Sequence, residues 1–162
     1  RGARLVIGLD PVAERLALAR RFGADLALDT RALTGPDLVG RVREACPPGG
    51  ADAVIEVCGM PGALVDGVQM LRTGGRYAVA GVVFPGADIT LDANVLVARC
   101  LTVRGVHNYH PRHLVQAVDF VHRHRRTLPL GALVDARFAL AELDTAFARA
   151  AERRVLRAAV VP

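Results

Sequence analysis

Residues 52–58 read Asp-Ala-Val-Ile-Glu-Val-Cys, and residues 76–82 read Arg-Tyr-Ala-Val-Ala-Gly-Val. Both runs are apolar almost throughout, which is typical of strands covered on both faces in a parallel sheet. Between them, a Gly-Met-Pro-Gly turn leads to a helical pattern with Leu64 and Val68 on one face, and Gly74 follows where the helix is predicted to end. The stretch therefore predicts a strand, a helix and a second strand, with residues 52–58 as a central parallel strand.

The same alternation of strands and helices extends in both directions along the chain. Upstream, residues 4–10 (RLVIGLD) predict a strand, Pro11 suits the first turn of a helix, and Gly23 suits its end. The other predicted elements are a strand at 25–28, a helix capped by Asp37, a loop at 84–88, a strand at 100–106, a helix at 114–125, a strand at 133–138, a helix at 140–150 and a strand at 155–161. Strands that alternate with helices predict an α/β fold with a doubly wound parallel sheet.

Composition places the chain among globular proteins. Hydrophobic residues make up 52% and charged residues 23% of its 162 residues, and no apolar run approaches the roughly 20 residues of a membrane helix. The net charge is +5, with arginine but no lysine. Aromatic residues are only 4%, and no nucleic-acid-binding module accompanies the arginines. We therefore expect solvated helix faces or contacts to a dinucleotide's phosphates, and neither a nucleic-acid nor a membrane partner.

The cysteines and histidines do not form a metal-binding pattern. Cys46, Cys58 and Cys100 are odd in number, far apart and without a C-x-x-C pair, which suits the reducing cytoplasm. His110 and His113 lie in a predicted helix cap, and no carboxylate or cysteine completes a ligand set with them. We therefore expect a cytoplasmic protein without a metal site in this segment.

Asp10 closes the strand predicted at residues 4–10. In a dinucleotide-binding sheet, the acid that closes the second strand accepts hydrogen bonds from the hydroxyls of the adenosine ribose. The alternative is an ordinary helix cap, since an acid followed by proline is common at helix starts. The G-x-G-x-x-G turn that would decide between them belongs about 20 residues upstream of Asp10, before Arg1. Because Arg1 is not Met and a strand pattern starts at once, we expect further chain upstream.

Seven segments occur in the order and at the spacing of one protein family. They are GARLVIGLD from residue 2, RLALARRFGAD from residue 15, DAVIEVCG from residue 52, LRTGGRYAVAGV from residue 71, LTVRGVHNY from residue 101, FALAELDTAFARA from residue 138 and RVLRAAVVP from residue 154. Each segment alone is weak, but their order and the Phe-x-Leu-x-x-Leu-x-x-Ala-Phe pattern at 138–147 are specific. Over essentially its whole length, the chain resembles the carboxy-terminal, cofactor-binding part of the zinc-type medium-chain alcohol dehydrogenase/reductase family.

The resemblance implies a domain organisation and an activity. The fold would be a Rossmann-like doubly wound parallel sheet, truncated at its amino-terminal side by the absence of its first strand and glycine-rich turn. Residues 1–127 would be a partial dinucleotide-binding domain, and residues 128–162 a segment that returns toward the catalytic domain. The implied activity is hydride transfer between a small alcohol, aldehyde or ketone and NAD(H), with zinc only in the missing amino-terminal half, so this segment alone is expected to be inactive. In the family, the strand at residues 100–106 pairs with its twofold mate, which implies a homodimer.

The resemblance also implies the residues of the cofactor site, none of them catalytic. Asp10 and Arg15 match positions at the adenosine ribose, and Cys58 matches a wall of the adenine pocket. Gly81 and Val82 match the turn beneath the nicotinamide ring, and Val106 and Asn108 match the backbone that meets its carboxamide. Arg157 matches a residue that contacts the pyrophosphate. A side chain at Gly81 is expected to obstruct the cofactor. The alternatives are a simple strand-end turn at Gly81, a surface charge at Arg157 and a small apolar filler at Cys58. Glu56, within a buried strand, is expected to be paired or to face a cleft, without a catalytic role.

Asp10 favours NAD over NADP, because its carboxylate can accept the ribose hydroxyls but repels a 2′-phosphate. Arg15 acts in the opposite direction, since a guanidinium can neutralise part of a phosphate's charge.

Two other functions are compatible with the same sheet: a nucleotide-binding module without turnover, and a methyltransferase, whose strand-terminal acid also binds a ribose. The dehydrogenase-like segment beyond Pro129 disfavours the methyltransferase.

Overall fold

The computed structural model describes residues 2–152 and 154–162. The described residues form seven strands and six α-helices, and the strands and helices alternate over most of the chain. In chain order they are β1 (Ile7–Asp10), α1 (Ala13–Arg21), β2 (Leu26–Asp29), α2 (Gly35–Ala45), β3 (Ala51–Glu56), α3 (Pro61–Met70), β4 (Leu71–Val79), α4 (Ala93–Ala98), β5 (Thr102–Gly105), α5 (Pro111–His124), β6 (Ala136–Ala139), α6 (Leu143–Ala151) and β7 (Ala158–Val161). Short 3-10 turns cover Leu130–Leu133 and Leu140–Glu142.

Every strand pairs in parallel with its neighbour, which confirms the predicted α/β fold. The strands form three separate sheets in the orders β1-β2, β3-β4-β5 and β6-β7. In a Rossmann sheet of order 3-2-1-4-5-6, the equivalents of β1 and β3 both pair with the first strand of the fold. Within the described residues no strand occupies that position, as expected for a sheet truncated at its amino-terminal side.

Two apolar clusters hold the strands and helices together. The first contains Leu28, Leu38, Val42 and Met70 and joins β2, α2 and α3. The second contains Leu64, Val68, Leu71 and Tyr77 and joins α3 to β4. Val54 of β3 packs against both clusters, so α2 and α3 cover one face of the strands that end at the candidate site.

The opposite face of β3 is open, which contradicts the prediction that this strand is covered on both faces. Ile55 is 70% exposed and Val57 is 72% exposed. Their side chains point away from Val54, because successive residues of a strand face opposite sides of the sheet. No described element covers this face, and β3 is an edge strand of its sheet.

The boundary between α3 and β4 differs from the prediction. The helix ends at Met70 rather than at the Gly-Gly pair, and β4 starts at the fully buried Leu71. Leu71 pairs with Ala51, but the next paired residue is Arg76, opposite Ala53. Gly74, with φ of +73°, therefore lies in a bulge within β4 rather than at a helix end. The strand also ends at Val79, three residues earlier than predicted.

Two further segments depart from the sequence interpretation. The six-residue helix α4 was not predicted; Asp92 Oδ1 caps it by accepting the Asn94 amide at 2.9 Å. Val95 and Leu96 of this helix pack against the cluster around Tyr77, which explains why it forms. The segment predicted as a strand at 133–138 starts as a 3-10 turn and becomes β6 only at Ala136.

The carboxy-terminal residues form a small unit with its own buried side chains. Strands β6 and β7 pair in parallel, and α6 packs beside them. Phe138, Ala146 and Val155 are buried there. No helix in the described part of the chain is long and apolar enough to cross a membrane.

Candidate functional site

The candidate site residues are grouped at the carboxyl ends of the parallel strands. Asp10 is the last residue of β1, and Cys58 lies two residues after the end of β3. Gly81 and Val82 follow β4, and Val106 follows β5. Ligands of open α/β sheets bind outside the carboxyl ends of the strands, so these four strand ends are the appropriate edge for a nucleotide.

Asp10 both holds its own turn and faces a cation. Its Oδ1 accepts the Val12 amide at 2.8 Å, which fixes the turn from β1 into α1. Its Oδ2 lies 3.9 Å from Nη1 of Arg15, and both side chains are partly exposed. The cap-like role and the ribose-binding role are therefore compatible, because each uses a different carboxylate oxygen.

Glu56 is the charged residue that the described chain buries, with 4% of its surface exposed. Its Oε1 accepts the amides of Cys58 at 2.7 Å and Gly59 at 2.6 Å, and its Oε2 accepts the amide of Gly81 at 3.1 Å. Burial raises the pKa of Glu56, but hydrogen bonds from the Gly59 amide, the side chain and amide of Cys58 and the Gly81 amide outweigh it, so the pKa is lowered. The prediction that Glu56 is paired is confirmed, and its partners are backbone amides and the Cys58 side chain rather than a cation.

Gly59 and Gly81 bring the turns after β3 and β4 into backbone contact. A Cβ added to Gly81 would lie 2.5 Å from Gly59 N and 2.6 Å from both Glu56 Oε1 and Val57 C. A Cβ added to Gly59, whose φ is +77°, would lie 2.8 Å from Gly81 O. Packing within the chain itself therefore requires glycine at position 81. A side chain here was predicted to obstruct the cofactor, but it would instead collide with the turn after β3.

Cys58 is exposed, and its thiol is not activated. Desolvation raises the pKa of the Cys58 thiol, the Met60 amide opposes this, and the adjacent Glu56 carboxylate raises the pKa further. A thiol with a raised pKa is mostly protonated at neutral pH and is a poor nucleophile. The contact of Cys58 with the adenine stays a prediction.

Val106 and Asn108 continue from β5 along the same edge. The Val106 amide donates to the Val79 carbonyl at 2.8 Å, which extends the β4–β5 pairing by one residue. Asn108 is left-handed, with φ of +54°, and its Nδ2 lies 3.1 Å from Nε2 of His107. Asparagine tolerates this conformation better than most residues, so the chain can turn sharply here.

Arg157 belongs to the carboxy-terminal unit. Its amide donates to Oδ1 of Asp135 at 3.2 Å. The pKa of Asp135 is lowered mainly by the Leu156 amide, with a small contribution from the charge of Arg15. In the described chain no hydrogen bond or ion pair joins Asp10, Arg15 or Arg157 to Glu56 or Gly81.

Three arginines at the opposite edge of the sheet have structural partners. Arg43 donates to the carbonyls of Gln69 and Leu71, and Arg99 donates to the side chain and carbonyl of Gln69 at the end of α3. Arg72 pairs with Asp52 at 2.6 Å. These guanidiniums line a cavity of about 360 Å³, but their hydrogen bonds account for them without an anionic partner.

The histidines show no metal-binding arrangement. His110 caps α5, with Nδ1 accepting the Arg112 amide at 3.2 Å, as the sequence predicted. Among the described residues no group of three or more His, Cys, Asp or Glu side chains could hold a metal ion.

Comparison with known proteins places this geometry in a family. The sequence model of a family described as zinc-binding dehydrogenase matches residues 1–123. This chain belongs to the zinc-binding dehydrogenase family. The resemblance seen in the seven sequence segments is thereby confirmed.

Known zinc-binding dehydrogenases match both the sequence and the fold. L-threonine 3-dehydrogenase of Streptomyces coelicolor is 32% identical over 94% of this chain. The crystal structure of an alcohol dehydrogenase from Thermotoga maritima superposes with a TM-score of 0.92 and 30% identity over 99% of the chain. A zinc-binding dehydrogenase from Sinorhizobium meliloti, bound to NADP, superposes with a TM-score of 0.85 and 25% identity over 99% of the chain. The chain spans 43%, 44% and 46% of the lengths of these three proteins.

Sequence reasoning missed one part of this zinc-binding dehydrogenase site. Gly59 was not singled out, although the Gly-Met-Pro-Gly turn was recognised, and Glu56 was given no partner by name. The available signal was the combination of a charged residue ending an apolar strand and a glycine three residues later. A buried carboxylate needs several N–H donors, and a left-handed glycine turn presents consecutive amides in the right direction.

Proposed function

We propose that this chain is the cofactor-binding part of a nicotinamide-dependent dehydrogenase that transfers hydride between the carbon of a small alcohol and the nicotinamide ring. The proposal rests on the carboxyl ends of the strands. A partly exposed carboxylate ends β1, and glycine turns held by hydrogen bonds follow β3 and β4. A dinucleotide crosses such an edge, and it needs a ribose acceptor and backbone free of side chains. The residues present fit such a group.

The proposed contacts follow the strand order. Asp10 and Arg15 would hold the adenosine ribose, Cys58 would line the adenine pocket, Gly81 and Val82 would support the nicotinamide, Val106 and Asn108 would meet its carboxamide, and Arg157 would contact the pyrophosphate. The bound nicotinamide would supply the hydride chemistry, while these residues bind and orient it. Arg15, whose Nη1 lies 3.9 Å from Asp10 Oδ2, brings positive charge beside the proposed ribose contact, which supports an anionic ligand there.

We assign NAD as the cofactor, with NADP less favoured. The Asp10 carboxylate supports NAD, because a 2′-phosphate would meet like charge there. A Sinorhizobium meliloti relative was obtained with NADP, so the assignment to NAD rests on Asp10. Zinc is expected in the amino-terminal domain, as the resemblance to the family implies.

The substrate class is a small alcohol with its aldehyde or ketone. The support comes from the relatives. Three L-threonine 3-dehydrogenases and a 5-exo-hydroxycamphor dehydrogenase of Pseudomonas putida are each similar over at least 90% of this chain. All three free cysteines suit a reducing compartment, so a cytoplasmic location is part of the proposal.

The full-length protein is expected to reduce NAD in the presence of secondary alcohols and to contain zinc. The measurement is NADH absorbance with a panel of alcohols that includes L-threonine, together with metal analysis of the purified protein. A protein that binds NADH tightly but turns over no alcohol with zinc supplied would instead be a nucleotide-binding module without catalysis. A protein that binds neither NADH nor NADPH would overturn the proposal.

Within the chain, we propose that residues 1–127 belong to the dinucleotide-binding domain and residues 128–162 to the catalytic domain. The division is supported by the separate β6-β7 sheet, which shares no strand pairing with β1 to β5. It is also supported by the burial of Phe138, Ala146 and Val155 beside one another in the tail, outside the two clusters of the larger part.

We also propose a homodimer through the strand at residues 100–106. Within the described residues, strand β5 pairs only with β4 and its four residues are exposed. An unpaired edge of this kind is an association site. Val106 N donates to β4, so by alternation the N–H groups of Val103 and Gly105 point to the open edge. Val103→Pro removes one outward N–H without touching the β4 pairing.

The expected result for Val103→Pro is a monomer in a full-length protein whose wild type is a dimer. Light scattering at high protein concentration measures the mass, and Val103→Thr, which keeps the N–H, is the control and should remain dimeric. A wild-type monomer, or a dimer that tolerates the proline, would show that this edge is not the interface.

A further inference from the structure

The carboxylate of Glu56 joins two turns that come from different strands. Oε1 accepts two consecutive amides of the turn after β3, from Cys58 and Gly59, and Oε2 accepts the Gly81 amide of the turn after β4. The carbonyl of Glu56 also accepts the amides of Ala80 at 2.9 Å and Gly81 at 3.2 Å. One residue thus contributes five hydrogen bonds to the edge of the sheet where the cofactor is proposed to lie.

The compensation of this buried charge comes from three backbone amides and the Cys58 side chain. No arginine or histidine of the described chain forms an ion pair with Glu56, whereas the more exposed acids Asp29 and Asp52 each pair with an arginine. A carboxylate that is buried without a cation is stabilised only while its N–H donors stay in place. The ionised group and the two turns therefore hold one another in a single arrangement.

The two turns pack closely against each other and against the Glu56 carboxylate. A Cβ at Gly81 would meet Glu56 Oε1, and it would also meet the Gly59 amide that this oxygen accepts. Neither turn can approach the other more closely, and neither can move away without breaking charge-assisted hydrogen bonds. A shift of one turn is therefore coupled to a shift of the other.

We propose that Glu56 is a positioning residue for the dinucleotide, which sets the relative placement of the backbone after β3 and the backbone after β4. The inference rests on the proposed function, because Cys58 and Val82 in these turns are the proposed contacts to the adenine and nicotinamide ends. Glu56 does not itself meet the cofactor, since both of its oxygens are used by backbone amides. It acts by presenting both contact surfaces at one fixed separation.

The variant Glu56→Gln removes the side-chain hydrogen bond to the turn after β4 but not those to the turn after β3, and it keeps the size of the side chain. The amide oxygen of glutamine can still accept the Cys58 and Gly59 amides, but its NH₂ group then faces the Gly81 amide, donor against donor. The turn after β4 loses its hydrogen bond to the side chain and keeps only those to the Glu56 carbonyl, whereas the turn after β3 keeps its side-chain hydrogen bonds. The matched control is Asp52→Asn at the other end of β3, where the carboxylate is 84% exposed and pairs with Arg72.

In the full-length protein, Glu56→Gln is expected to weaken NADH binding by about tenfold, with the KM for the dinucleotide raised by the same factor and the KM for the alcohol unchanged. Asp52→Asn is expected to bind NADH as the wild type does. A purely structural role would lower the melting temperature and the yield but leave the NADH dissociation constant of the folded protein unchanged. That outcome would overturn the inference.

Hydrogen exchange of the wild type gives a second measurement that does not depend on the variant folding. The amides of Cys58, Gly59 and Gly81 are expected to exchange slowly and at similar rates, because one carboxylate protects all three. Exchange at Gly81 that is more than about tenfold faster than at Gly59 would contradict the shared restraint. If the wild type binds no nicotinamide dinucleotide, the proposed function fails and this inference with it. If it binds and Glu56→Gln binds equally well, only this inference fails.

Discussion

Gly81→Ala is expected to reduce the affinity for the nicotinamide dinucleotide by tenfold or more and to lower the melting temperature of the full-length protein. The added methyl group would meet Gly59 N at 2.5 Å and Glu56 Oε1 and Val57 C at 2.6 Å. None of these atoms is the free end of a flexible side chain, because Oε1 is itself held by two amides. Overpacking a rigid site costs about 1–3 kcal/mol, and about 1.4 kcal/mol corresponds to a tenfold loss of affinity.

The control for Gly81→Ala is Gly40→Ala. Gly40 lies within α2, and a Cβ added there would meet nothing within 4 Å. This variant is expected to keep the wild-type NADH dissociation constant within about twofold. Fluorescence titration of NADH and thermal unfolding measure both variants. If Gly81→Ala binds NADH like the wild type, the turns after β3 and β4 can separate without consequence for the cofactor.

Asp10→Ser is expected to shift the ratio of NADH to NADPH affinity by at least tenfold toward NADPH. The carboxylate that accepts ribose hydroxyls and repels a 2′-phosphate is removed, which together is worth about 2 kcal/mol or more. Arg15, whose Nη1 lies 3.9 Å from Asp10 Oδ2, then loses its carboxylate neighbour and becomes available to a phosphate. The serine hydroxyl can still accept the Val12 amide that Asp10 Oδ1 accepts at 2.8 Å, so the turn into α1 is preserved.

Asp29 offers a closely matched control for Asp10. It ends β2, pairs in register with Asp10, accepts the amide two residues ahead at 2.8 Å and forms an ion pair with Arg31. The Arg31 guanidinium and amide hold the pKa of Asp29 at about 2, so Asp29 is ionised at neutral pH when the cofactors are compared. Asp29→Ser is expected to leave the NADH to NADPH ratio unchanged. If Asp10→Ser does likewise, or if the wild type binds NADPH as tightly as NADH, Asp10 serves only the turn and NAD loses its main support.

The order of elements could be predicted from the sequence because it depends on local patterns. Apolar runs that end on acids, and glycines or prolines between them, marked β1 to β5 and their helices within a few residues. The exceptions have identifiable causes. The Gly74 bulge was taken for a helix end because a glycine pair signals both, and only the buried Leu71 paired with Ala51 decides for the strand. Helix α4 was missed because six residues carry too little periodicity, and its packing against the Tyr77 cluster stabilises it.

The sequence by itself determined the fold class, the family resemblance and the strand ends at which a cofactor site could lie, because strand and turn propensities depend on consecutive residues. Only the tertiary structure decided how those strand ends are joined. The contact between Gly59 and Gly81 and the hydrogen bond from the Gly81 amide to the Glu56 side chain connect residues 22 and 25 positions apart. Such contacts depend on the register of β3 against β4, which sequence patterns leave open. The same holds for the open face of β3, because the coverage of a strand depends on the elements packed against it and not on its own apolar residues.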